Sequence, residues 1–413
     1  MIKNNFPFLK IKKNIVNVMF VFFILFIVLG FVYSQSYFSV ALVFLTYLFI
    51  GNMVNCKSSV HMMFFLGYTA FIFLPSLLNW YYLDVSLSLF FITSLVSSLF
   101  LFITRGTEVK YFINYGVSPR VFFVSLSFLS IMFVFLGLGN FVTPVFSFLI
   151  VLLSLCFQQG FIRANVTYLF VFIFVLSVYL LFYWNGFGRL LIVGWLLLAL
   201  LQFFYSIGFK INKYAFGLLP GLGSTFLADR DFLQLKFSGF EKALYDSAYG
   251  PYRTASSFID SFNQHGFDVA GFWDQIMFTF FVFIPRSVWP SKPLGFGYEY
   301  TVQNLNTSLI DAGHSIAGTL ISFHIYYLGY LGIVTSLLFI SIIAFATNVL
   351  YRIKGLNGNG VLIFSASMMA LVWGGMSSFS ARVALSSIVF VLLFTLFRRF
   401  LTRKVRFVWG ASN

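Results

Sequence analysis

Uncharged apolar stretches of the length needed to cross hydrocarbon, about 17 to 25 residues, recur along this chain and limit its fold more than any other feature. They lie near 15–33, 37–54, 60–78, 85–103, 121–138, 141–157, 166–184 and 190–207, then near 316–350, 361–378 and 383–397. Hydrocarbon offers no partner to backbone N–H and C=O groups, and the alternating ten-residue pattern of barrel strands is missing, so the runs predict helices. A chain that is 60% hydrophobic and 9% charged, with mean hydropathy +0.94, is not a water-soluble core wrapped in a polar shell. No small-residue cleavage site follows the first run, which reads as a retained span.

The net charge of +15 does not call for nucleic acid, because topology explains where the bases are. Lys3, Lys10, Lys12 and Lys13 precede the first span, and Arg398, Arg399, Arg403, Lys404 and Arg406 follow the last. Between them Lys57, Arg105, Lys110, Arg120, Arg163, Lys210, Lys213, Arg352 and Lys354 recur at every second loop, as the positive-inside preference requires of cytoplasmic loops. Both termini are therefore expected in the cytoplasm, with an even number of spans. Cys56 and Cys156 form no disulfide or metal pattern.

The acids behave differently. Nine of eleven lie between Asp229 and Asp311, where nine acids against six bases leave a net −3. A segment of that composition is expected outside the membrane, opposite the basic loops, which requires a ninth span. Fifteen uncharged residues, 214–228, compete with eleven, 275–285, covering about 22 and 17 Å at the helical rise. The first is preferred because it starts from the basic GFKINK turn, and 275–285 then becomes an apolar helix at the outer leaflet, ended by Pro285. The expected organisation is nine helices over 1–228, an external loop with short interfacial helices over 229–315, and three helices with a basic tail over 316–413.

Within that loop, FVFIPRSVWPSKPLGFG (281–297) collects three of the nine prolines together with Arg286, Lys292 and Trp289. Proline fixes φ and lacks an N–H, so the turn is preset and its cations have less entropy to lose on binding. Arg189 after FYWNGFG, Arg253 in YGPYR and Arg382 in FSAR are expected on the same face, where cations should be scarce. Arginine offers phosphate a planar fork, so the implied ligand is a membrane-borne phosphate or pyrophosphate. Tyr249, Tyr252, Tyr298 and Tyr300 are candidates for stacking on sugars, Trp289 suits the head-group level, and His61 and His324, on apolar faces, read as packed within the bundle.

Gly188-Arg189 at a helix head, the late external loop, IPRSVWPSKP, and then GHSIAG and YYLGYLG together resemble the Wzy-type polymerases of O-antigen and other oligosaccharide repeat units. The resemblance implies an all-α, GT-C-like polytopic membrane protein of about twelve transmembrane helices in a bacterial inner membrane, with a large periplasmic loop. It also implies the activity: a glycosyltransferase moving the growing glycan en bloc from undecaprenyl pyrophosphate onto the next lipid-linked repeat unit. Arg286 and His314 would be catalytic, with Arg189, Arg253, Lys292, Arg382, Trp289, Tyr298, Tyr249 and Asp311 binding substrate. Neither metal nor other cofactor is expected. Its partners would be the lipid-linked oligosaccharide, membrane lipids and a chain-length regulator protein.

Fixed arginines aimed at the departing pyrophosphate act electrostatically, each good donor being worth about 3 to 4 kcal/mol. His314, Asp311 and Glu299 are the nearest candidates for a base on the acceptor hydroxyl. O-antigen ligases carry a similar histidine and Gly-x-x-Gly pair, with closer spacing than His314 has from Gly329 and Gly332. A lipid-linked oligosaccharide flippase is the alternative in another class. It would place charges midway along its spans and show two related halves; here the spans are nearly charge-free.

Overall fold

The computed structural model describes residues 23–30, 32, 36–56, 58–83, 86–105, 173, 176–177, 189–206, 211–217, 250–304, 317–352, 361–381, 383 and 386–387. Its long elements are α1 (Tyr37–Met53), α2 (Ser59–Tyr68), a π-turn (Thr69–Phe73), α3 (Leu74–Leu83), α4 (Ser88–Thr104) and α5 (Arg189–Ser206). They continue with α6 (Gly250–His265), α7 (Val269–Phe281), α8 (Phe296–Asn304), α9 (Ser322–Leu328), α10 (Leu331–Arg352) and α11 (Val361–Ala381). No strand occurs among the described residues.

Three of these helical stretches are long and apolar enough to cross a membrane: Ser59–Leu78, Leu331–Tyr351 and Val361–Ala381. The chain is a helical membrane protein. The runs near 121–138 and 141–157, and nearly all of 166–184 and 383–397, lie outside the described residues. The first and third stretches are enclosed by protein, whereas only 28% of the Leu331–Tyr351 window is buried. On α10 the exposed Leu331, Val334, Leu338, Ile342, Phe345 and Val349 fall three or four residues apart and so form one stripe. Such a stripe is stable against lipid.

The run read as 316–350 is not one rod. Gly329, at φ 54°, ψ −133°, ends α9, in a backbone state that suits glycine. A Cβ at Gly329 would strike the Phe262 ring, and one at Gly332 the backbone of His324. The two glycines of YYLGYLG thus let α10 fold back tightly on α9, and the span starts at Leu331. Within α2 and α3 the chain passes through the π-turn, where the Leu74 N–H reaches the Thr69 carbonyl. Pro75 follows directly. Its ring would crowd the carbonyl four residues back and it has no N–H to offer, so the wider turn relieves both faults.

Hydrogen bonds order the ends of the bundle. At one end His61 Nδ1 accepts from the Asn55 N–H (3.2 Å) while Nε2 meets Thr104 Oγ1 (2.8 Å). Nearby Ser58 meets Tyr351 (3.0 Å), Ser59 meets Ser365 (2.8 Å) and Asn348 donates to the Ile103 carbonyl (3.2 Å). Arg105 and Arg352 end their helices here. At the other end Tyr37 meets Trp80 (5.5 Å), the Thr319 N–H donates to the Trp373 carbonyl (2.9 Å), and α6 packs on the π-turn and α3. α6 to α9 gather there, carrying Asp260, Asp268, Asp274 and Glu299, which are all the acids among the described residues. The separation of acids from basic loops along the sequence is thus also a separation in space.

Candidate functional site

α7 has its polarity reversed. It starts at Asp268, whose carboxylate accepts from the Gly271 N–H (2.8 Å), an N-cap that also suits the helix dipole. Its inward side carries Gln275, Ile276 and Thr279, while Val269, Trp273, Met277, Phe280 and Phe281 are exposed, with Asp274 at the edge of that face. Apolar side out and polar side in is stable only where the surroundings are apolar. Phe280 also meets Phe339 of α10 (6.4 Å). The expected apolar helix at 275–285 therefore exists with shifted bounds. The cap starts it six residues early, and it stops at Phe281 because Pro285 has no N–H for that carbonyl, which the Ile284 N–H takes instead (3.0 Å).

The following loop answers why prolines and cations occur together. Pro285, Pro290 and Pro293 each remove a donor, so carbonyls outnumber N–H groups, and the cations make up the shortfall. Arg286 donates from Nη1 to the Lys292 carbonyl (2.6 Å) and from Nη2 to the Pro293 carbonyl (3.0 Å). Lys292 Nζ donates back to the carbonyls of Val282 (2.6 Å) and Ile284 (2.9 Å) at the end of α7, and lies 5.5 Å from the centre of the Phe278 ring. A cation at a helix C-terminus also opposes the dipole. Burial, and then the charge of Arg286, holds the Lys292 pKa below its ordinary value. Trp289 Nε1–H donates to Ser291 Oγ (3.1 Å), and the Val288 and Trp289 N–H groups both return to the Pro285 carbonyl (3.0 Å each).

The two cations differ in access. Lys292 is 9% exposed, with its ammonium under the loop, whereas Arg286 is exposed. Among the described residues the acceptors of Arg286 are the two carbonyls, which take two of its five N–H donors. The loop thus displays a positioned guanidinium beside a helix face suited to lipid, an arrangement that can hold an anion at a membrane surface.

Below the loop lies a polar group that sequence reasoning largely missed. Gln275, fully buried, donates from Nε2 to the Leu294 carbonyl (3.0 Å) and to Glu299 Oε2 (2.5 Å), and among the described residues its Oε1 has no hydrogen-bond partner. Tyr327 of α9 is buried beside it. Burial and then the Glu299 carboxylate push the phenol pKa far up, so the phenol stays protonated. Gln275 was legible only as a lone amide in an apolar run. Tyr327 gave no signal, being one tyrosine among 22.

Of the other residues singled out, Tyr298 is half-buried on α8 and Tyr300 packs with Phe258, Phe296 and Tyr326. Tyr252 is buried in α6. Arg189 opens α5 and Arg253 lies in the first turn of α6. Tyr249, Asp311, His314 and Arg382 lie outside the described residues. His324 sits between Phe323 and Phe339, with Nδ1 on Thr335 Oγ1 (2.9 Å). No known family, curated protein or solved structure matches this chain.

Proposed function

We propose that the chain is a polymerase of O-antigen or a related surface polysaccharide, a metal-independent glycosyltransferase. It takes the growing glycan from undecaprenyl pyrophosphate and joins it to the next lipid-linked repeat unit at the periplasmic face of a bacterial inner membrane. About twelve spans, cytoplasmic termini and a periplasmic loop over 229–315 belong to the same reading.

What supports it is the loop after α7. Arg286 is held by two carbonyls, exposed, and set next to an outward apolar helix face. A lipid pyrophosphate has its charge at that depth and its tail beside it. When the anomeric C–O bond breaks, negative charge grows on the leaving pyrophosphate. A guanidinium already fixed in place stabilises that charge without reorganising, as preorganised donors do. Arg189, Arg253, Arg382 and His314 join Arg286 in this reading, and Trp289, Tyr298, Tyr249 and Asp311 contact the sugars.

Deleting the gene and determining the surface glycan tests the reading. A single repeat unit on lipid A core is the expected result. A core bearing no repeat unit would indicate a ligase or a flippase instead.

A further inference from the structure

The segment 292–299 carries two opposite chemistries on one short scaffold. The Lys292 and Pro293 carbonyls hold the Arg286 guanidinium, and the next carbonyl, Leu294, holds the buried Gln275 amide. At Gly295 the chain turns into α8, the Tyr298 and Glu299 N–H groups returning to its carbonyl (2.9 and 3.1 Å). Glu299 thus stands in the first turn of α8, where the helix dipole favours a carboxylate. Gln275 grips Oε2, which fixes the rotation of the carboxylate. Among the described residues the buried Gln275 Oε1 makes no hydrogen bond, and the buried Tyr327 hydroxyl faces the Glu299 carboxylate. Native structures seldom leave an atom such as Gln275 Oε1 unmet, because it costs free energy.

From this we infer that Glu299 is the catalytic base that takes the proton of the acceptor sugar hydroxyl, with Gln275 and Tyr327 lining the place where that sugar docks. The inference rests on the polymerase reading. In the step, the acceptor O–H proton passes to the Glu299 carboxylate and the hydroxyl oxygen bonds to the anomeric carbon. The bond from that carbon to the pyrophosphate oxygen breaks, and its electron pair leaves on the pyrophosphate, next to Arg286. Gln275 is a positioning residue, since it acts through the carboxylate it holds.

The test uses purified full-length protein in nanodiscs, undecaprenyl-pyrophosphate repeat units, and sodium azide as a second nucleophile. Azide needs no base. A general base contributes about 10²- to 10⁴-fold, so Glu299→Gln should lose polymer formation by at least about 100-fold. With azide it should still consume the lipid donor and yield glycosyl azide at the wild-type rate. Polymer from Glu299→Gln at near the wild-type rate would overturn the inference. So would loss of both polymer and glycosyl azide, because that marks a purely structural residue. If the wild type makes no polymer under these conditions, the polymerase reading itself fails, and the inference with it.

Discussion

Arg286 and Lys292 hold one loop from opposite sides. The guanidinium donates to the backbone carbonyl of Lys292 itself, and the Lys292 ammonium donates to the carbonyls of Val282 and Ile284 on either side of Phe283. Among the described residues neither charge meets an acid. Both answer carbonyls that a proline-rich turn leaves short of donors.

Because lysine has no planar fork, Arg286→Lys should keep only a small remainder of polymerisation and Arg286→Ala none, each at the wild-type level in the membrane. The alanine variant also loses two charge-assisted bonds, which loosens the loop by about 1 to 2 kcal/mol, so limited proteolysis within 282–293 should quicken. Full-length glycan from Arg286→Ala would take this residue out of the site.

Lys292→Met keeps the stem and drops the donors, so detergent-solubilised protein should melt earlier. The native pKa of Lys292 lies below its ordinary 10.5, so between the two values the unfolded chain binds more protons and stability rises with pH. Below the native value both states are charged and the burial penalty is felt in full. The melting-temperature gap between wild type and Lys292→Met should therefore widen from neutral pH toward 10.5, and a gap that narrows would contradict the assignment.

The arrangement of the ends makes a topology prediction. Reporters fused near Ser257 should be periplasmic and those after Arg105 or Arg352 cytoplasmic. If Ser257 reports cytoplasm while Asn306 reports periplasm, 275–285 is a span and Arg253 leaves the site.

Gly194 of α5 lies against the Ala366 carbonyl of α11, where a Cβ would collide with backbone. Such overpacking costs about 1 to 3 kcal/mol. Gly194→Val should lower the melting temperature and the yield of folded protein, and an unchanged melting curve would mean that the helices do not cross there.

Composition and charge order made the helical membrane class readable, together with the grouping of acids at one end. Those signals are carried by many residues at once. The break at Gly329 was not readable, since a glycine within an apolar run looks like any other until the Phe262 ring is brought against it. Prolines marked the loop after α7 as preset, but the direction of Lys292 depends on which carbonyls lie beneath it, and that is a tertiary fact. Gln275 and Tyr327 meet Glu299 only after α7, α8 and α9 pack, so no local pattern announced them.

The most direct measurement reconstitutes the purified protein in nanodiscs with undecaprenyl-pyrophosphate repeat units as the sole sugar source. The account predicts a ladder of lipid-linked oligomers, with one undecaprenyl pyrophosphate released per bond formed, and no ladder from Arg286→Ala. Repeat units that stay single with the wild-type protein, or that move only when lipid A core is supplied, would contradict it.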